Sequence, residues 1–204
     1  MADSAMTLEE IRTGYGDVSG LARDKVQPRL DKHARAFIAR SPLLVLGTAD
    51  AEGRQDVSPR GDPPGFVKVL DDRTLLLPDR PGNRRIDSIS NIAKHPNVSL
   101  LFMVPGFDDT LRVNGVASFT RDPELMQALA VDGKPAVGGL LVKVDEVFMH
   151  CAKAFIRSRL WDPESRQNRK EFPSLGRIIA DQIAGVDADD ADQKIDQNYR
   201  TELY

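Results

Sequence analysis

Leu43-Leu-Val-Leu-Gly-Thr48, then Asp50-Ala-Glu-Gly53, then Arg54-Gln-Asp-Val-Ser58 is the stretch on which the fold turns. The first run is apolar and rich in strand formers and the second is turn chemistry, so the third returns antiparallel as a hairpin. Downstream, Asp62-Pro-Pro-Gly65 makes a break, Phe66-Val-Lys-Val-Leu70 alternates, Asp71-Asp72 turns, and Thr74–Leu77 reads as a further strand. Four short strands within about 35 residues predict a meander. Val98–Val104, Leu111–Thr120 and Gly139–His150 continue the pattern, the last with Leu141, Val144 and Val147 apolar against Lys143, Asp145 and Glu146. The sum is a mainly β chain with peripheral helices, whose six or seven antiparallel strands form a barrel or closed sandwich. A parallel doubly wound sheet is disfavoured, because the strand–helix–strand rhythm is missing.

Helical spacing appears at 7–13, at 31–40 with Ala34, Phe37 and Ile38 on one side, and at 84–94 with Ile86, Ile89 and Ala93 aligned. Asp122-Pro123 opens a short helix to about Ala130, and 152–158 reads as another. Pro173 opens an amphipathic helix with Leu175, Ile178, Ile179 and Ile183. The acidic Val186–Asp192 segment and Ile195–Tyr204 follow, read as a more mobile end. The division is an N-terminal helical extension at 1–29, a barrel domain at 30–162 and a helical tail at 163–204.

At 204 residues, one domain with appended ends is the expected organisation. Hydrophobic residues are 41% and charged residues 29%, and no apolar run approaches the roughly 20 residues of a membrane helix. Met1-Ala-Asp-Ser4 lacks the basic-then-apolar pattern of a secretion signal, so the expected location is cytoplasmic. A single cysteine, Cys151, and three scattered histidines offer neither an internal disulfide nor a zinc framework. The net charge of −3 and 6% aromatic content argue against nucleic acid as a partner.

Two stretches carry the functional signal: Asp56-Val-Ser-Pro-Arg-Gly-Asp62 and Pro81-Gly-Asn-Arg-Arg85. In the second, Asn83 reads as an N-cap, which puts Arg84 and Arg85 in the first helical turn. Cations there oppose the helix dipole unless an anion answers them. Gly82 permits close backbone approach, and arginine's planar fork matches phosphate oxygens. On this chemistry alone, a phosphate site and a solvated helix cap stay equally open. Ser58 and Arg60 could reach the same anion from a neighbouring strand, with Pro59 on an edge and Asp62 paired to an arginine. Lys153 and Arg157, four apart on a helix, form a second cationic surface. His150 at a strand end reads as structural, Cys151 lacks a recognisable base beside it, and the catalytic residues stay unassigned. Phosphate-loop and Rossmann signatures are missing too, which is the look of a protein whose chemistry belongs to a cofactor.

Ser58-Pro-Arg-Gly-Asp-Pro-Pro-Gly-Phe66, Leu77-Pro-Asp-Arg-Pro-Gly-Asn-Arg-Arg85, Leu111-Arg-Val-Asn-Gly115 and His150-Cys-Ala-Lys-Ala154 stand in that order. Together they resemble the FMN-binding split barrels of the pyridoxamine 5′-phosphate oxidase-like family, over roughly residues 30–162. The resemblance implies an FMN-dependent oxidoreductase with a small-molecule substrate, a nicotinamide as candidate reductant, and a homodimer with flavin at the subunit interface. A non-catalytic flavin carrier or sensor, and a barrel using deazaflavin or haem with His150 as axial ligand, are the alternatives. By position, Ser58 and Arg60 would border the flavin or its phosphate, and Asn83, Arg84 and Arg85 would be the phosphate clamp. Leu77 and Pro78 would face the ring edge, and Lys153 and Arg157 would come from the partner subunit. The clamp reads N-R-R where the family has S-R-K, and the substrate motif of true pyridoxamine phosphate oxidases does not follow Trp161.

Overall fold

The computed structural model describes residues 5–204. Two small helices, α1 (Leu8–Tyr15) and α2 (Gly20–Asp24), lie exposed ahead of α3 (Lys32–Ile38). Asp31 caps α3 by accepting from the His33 and Ala34 N–H groups, and the helix turns Ala34, Phe37 and Ile38 inward. Strands β1 (Leu43–Ala49) and β2 (Gln55–Gly61) form the predicted hairpin, with Leu46 opposite Ser58 and Leu44 opposite Arg60. Alternation on β1 buries Leu44, Leu46 and Thr48, so Asp56, Ser58 and Arg60 of β2 share that inner face.

The remaining elements are β3 (Lys68–Val69), β4 (Thr74–Asp79), α4 (Asp87–Lys94), β5 (Asn97–Met103), β6 (Thr110–Thr120), α5 (Pro123–Ala128), β7 (Gly138–His150), α6 (Lys153–Ser158), α7 (Leu175–Gln182) and α8 (Ala188–Thr201). All seven strands pair antiparallel in the order β2-β1-β5-β6-β7-β4-β3. The expected meander over the first four strands is therefore corrected. Two hairpins, β1–β2 and β3–β4, sit at opposite edges, and the three long strands join them. The expected strand at 66–70 shrinks to two residues, because Phe66 and Val67 turn into the core instead of pairing.

The sheet curls into a split barrel, and two ion pairs bridge the edges that meet. Arg60 reaches Asp79 at 3.1 Å and Arg80 reaches Asp62 at 2.7 Å, tying β2 to the end of β4 although they lie near opposite ends of the strand order. Inside are Leu44, Leu46, Leu75, Leu77, Leu100, Phe102, Leu111, Val113 and Val142, all essentially inaccessible. Each such side chain contributes about 1.5–3 kcal/mol relative to exposure. A bulge at Asn114/Gly115 lets β6 bend, and a Cβ on Gly115 would collide with the Lys143 carbonyl oxygen.

Two helical expectations also change. The helix expected over 84–94 starts at Asp87: its N-cap position is Ile86, in the left-handed region at φ 52°, without a side-chain cap. Asn83 is thus not the N-cap; its Oδ1 instead accepts from the Arg85 N–H at 3.0 Å, and both arginines lie in the loop before the helix. The segment after Val186 is largely α8, which Asp187 caps and whose first-turn Asp189 and Asp190 suit the dipole. It packs on α7 where Gly176 leaves room, the Gly176 N–H donating to Asp192 at 2.8 Å. Among the described residues, no helix is long and apolar enough to cross a membrane.

Candidate functional site

A cleft of about 530 Å³ opens between the inner face of β2, the loop from β4 to α4, and the far end of β6. Ser58, Arg60, Asn83, Arg84 and Arg85 all line it, so the two stretches singled out in the sequence meet. Arg80, Arg121, Phe119 and Val137 add cationic and apolar wall. The size lies within the range of small-molecule sites, roughly 300–1,000 Å³.

The arginines are not equivalent. Arg60 gives Nη1 to Asp79, but its Nε is buried without a partner, an uncommon condition for a donor. Arg85 pairs with Asp87 at 2.8 Å and Arg80 with Asp62. Among the described residues, Arg84 and Arg121 have no ion-pair partner; Arg121 lies 5.6 Å over the Phe119 ring. Arg84 and Ile86 both take the left-handed conformation, at φ 60° and 52°. That costs roughly 1–2 kcal/mol for each non-glycine residue, and such strain clusters at ligand sites. The dipole conflict inferred from sequence disappears with the corrected helix start, while the unanswered charge on Arg84 remains.

A directed hydrogen-bond chain underlies the loop. The Asn91 amide donates to Thr48 Oγ1 at 3.0 Å, Thr48 donates to Asp56 Oδ2 at 3.3 Å, and Ser88 donates to the same oxygen at 2.7 Å. Ser88 has only one proton, so its 3.1 Å contact with Ser58 requires Ser58 to donate. The chain fastens α4 to β1 and β2. It also means that Ser58 must release Ser88 before it can donate to an anion.

Other expected residues lie elsewhere. The Leu77 side chain is in the core at 1% exposure, Pro78 is buried, and neither lines the cleft. Lys153 and Arg157 are on α6, beyond the other end of the 13-residue β7, roughly 40 Å along the strand from Gly138 beside the cleft. His150 faces outward there, 5.0 Å from the Phe148 ring. Burial, and then the charges of Arg112 and Lys25, hold its pKa below the ordinary value. Cys151 is exposed. Asp56 opens the first of the two sequence stretches and lines the cleft without having been given a role there, whereas Ser88, Phe119, Arg121, Val137 and Glu202 lie outside both stretches; no local signal points to Glu202.

The sequence model described as pyridoxamine 5′-phosphate oxidase matches residues 30–151, more than half of the chain. The chain belongs to the pyridoxamine 5′-phosphate oxidase family. The match spans β1 to β7 and both stretches that meet at the cleft, and leaves α7 and α8 outside. Similar solved structures include HupZ of Group A Streptococcus, 18% identical over 59% of this chain and 93% of that one, with a TM-score of 0.47. A candidate pyridoxamine 5′-phosphate oxidase from Lactobacillus delbrueckii is 22% identical over 60% of this chain and 95% of that one, TM-score 0.47. An FMN-binding protein from Syntrophomonas wolfei is 13% identical over 71% and 97%, TM-score 0.44. No curated protein matches the sequence.

Proposed function

We propose that this family member is an FMN-binding oxidoreductase acting on a small molecule, with its flavin site completed by a second copy of the chain. The observation that carries the cofactor reading is the cluster of Arg60, Arg80, Arg84, Arg85 and Arg121 around a cleft sized for a small ligand: Asp79, Asp62 and Asp87 answer three of them, and Arg84 and Arg121 have no ion-pair partner among the described residues. Arg60, Arg84 and Arg85 would hold the phosphate, and Phe119 and Val137 offer apolar wall to the rest of the molecule. Bound FMN would supply the redox chemistry that the side chains lack. The chain's own part is binding and orientation, since the Asp56 network holds the loop and Asp79 orients Arg60.

Dimerisation is supported by the outer sheet face. Leu43 and Val57 are 37% and 67% exposed there, beside the half-buried Val45, Leu101 and Met103. Lys153 and Arg157, remote from their own cleft, could then serve the partner's. A haem held by His150 gains nothing from the cleft, whose lining among the described residues contains no histidine, cysteine or methionine.

The purified protein should take up FMN, seen as the visible flavin spectrum, and elute as a dimer on size-exclusion chromatography. Failure to take up FMN would end the cofactor reading. Bound flavin that NADH and NADPH reduce, and that an added dye reoxidises repeatedly, supports the enzyme. Bound flavin inert to both donors favours the carrier.

A further inference from the structure

The residues that follow α8 return to the barrel. The Tyr204 hydroxyl donates to Asp62 Oδ1 at 2.6 Å, and the Arg80 guanidinium lies 5.4 Å from the centre of its ring. Lys134 Nζ donates to the Tyr204 main-chain oxygen at 3.4 Å. Arg80, which lines the cleft, joins these contacts to it through Asp62. Its side chain is 1% exposed, with one oxygen accepting from Arg80 and the other from Tyr204. The pair that closes β2 onto β4 is therefore also the anchor point of the tail.

Two residues before the anchor, Glu202 lines the cleft. Its carboxylate accepts from Asn198 at 2.8 Å and has no ion-pair partner among the described residues. Glu202 thus lines the same cavity as Arg84 and Arg121, cations that the described residues leave without ion pairs; the other acids of the lining, Asp56, Asp79 and Asp87, are already engaged by Ser88, Arg60 and Arg85. Elsewhere α8 packs chiefly on α7, so contacts at 202–204 hold its far end to the barrel. The hydrogen bond to Asp62 also raises the Tyr204 phenol above its ordinary pKa, keeping it the donor that the latch needs.

We propose that residues 202–204 are a strap across the anion cleft, with Tyr204 as its latch on Asp62 and Arg80, and Glu202 as an acidic gate. The ligand assignment rests on the flavin-phosphate reading; the latch does not. The gate acts by charge: an entering phosphate is drawn by Arg84 and Arg121 and opposed by Glu202. The balance disfavours ligands with more negative charge than the arginines answer. Releasing the latch would speed both entry and departure.

Two conservative variants separate latch from gate. Tyr204→Phe keeps the ring beside Arg80 and removes only the donated bond. It should raise amide hydrogen exchange at Glu202, whose N–H donates to the Asn198 carbonyl at the end of α8, in the ligand-free protein, while β6 and β7 stay protected. With FMN, it should speed dissociation by about tenfold, the size of one lost charge-assisted hydrogen bond. Glu202→Gln is isosteric, so it should leave exchange unchanged and tighten FMN by about tenfold, as removal of one nearby like charge would. Wild-type exchange at the Glu202 amide in Tyr204→Phe, or FMN binding by Glu202→Gln no tighter than wild type, would overturn the strap with the cofactor reading intact. A wild-type protein that ignores FMN would end the flavin reading, and the exchange comparison would then decide the strap alone.

Discussion

Replacing Asp62 with alanine removes the acceptor shared by Arg80 and Tyr204 and strands a guanidinium that is only 15% exposed. Breaking a buried pair from one side costs about 3–5 kcal/mol, because the remaining charge stays desolvated. Arg80 would retain its bond to the Leu129 carbonyl at 2.8 Å and its place by the Tyr204 ring, which puts the loss near the lower figure, about 3 kcal/mol. A chain of this length loses about 2–4 °C in Tm per kcal/mol, so the midpoint should fall by roughly 6–12 °C. Thermal unfolding followed by circular dichroism measures it. Adding Arg80→Ala should cost much less than the sum of the two single losses, since the second substitution removes the stranded charge. A single variant melting within about 2 °C of wild type would refute the claim that this pair closes the barrel.

Gly115→Ala should lower Tm as well, by an overpacking cost of about 1–3 kcal/mol, because its Cβ would meet the Lys143 carbonyl where β6 bulges. A calorimetric midpoint equal to wild type would show that the bulge can yield. For His150, NMR should find a titration midpoint below the ordinary 6.5, moving upward in Arg112→Gln. A depressed folded pKa means that the unfolded chain takes the proton first. The contribution of His150 to stability is therefore complete above the unfolded value and declines as pH falls toward the folded one. An ordinary midpoint, unmoved by Arg112→Gln, would contradict this.

What could be read in the sequence was local. The β1–β2 hairpin rests on an apolar run of strand formers and a four-residue turn, both contained within 43–58, and the cationic stretches at 56–62 and 81–85 announce their own chemistry. The pairing of β4 with β7 spans more than 60 residues, with Thr74 opposite Lys143, and is decided by packing that no local window contains. Ile86 shows the sharper failure. Its spacing with Ile89 fits a helix face, yet it adopts a left-handed conformation that β-branched residues avoid, so periodicity placed the helix start before Asp87. Arg84 and Arg85 kept their role as cleft residues and lost their place in the helix. Glu202 and Tyr204 were illegible because only the folded path of α7 and α8 returns them to Asp62.

If the cleft holds a phosphate through Arg84 and its neighbours, FMN and riboflavin, which differ by that group alone, should bind with very different affinities. Charge-assisted hydrogen bonds of about 1.5–3 kcal/mol each predict that equilibrium titration will find FMN bound at least about a hundredfold tighter than riboflavin. Arg84→Ala should remove most of that difference and leave riboflavin affinity unchanged. Equal affinity for the two flavins in the wild-type protein, or an undiminished preference for FMN in Arg84→Ala, would contradict the phosphate reading.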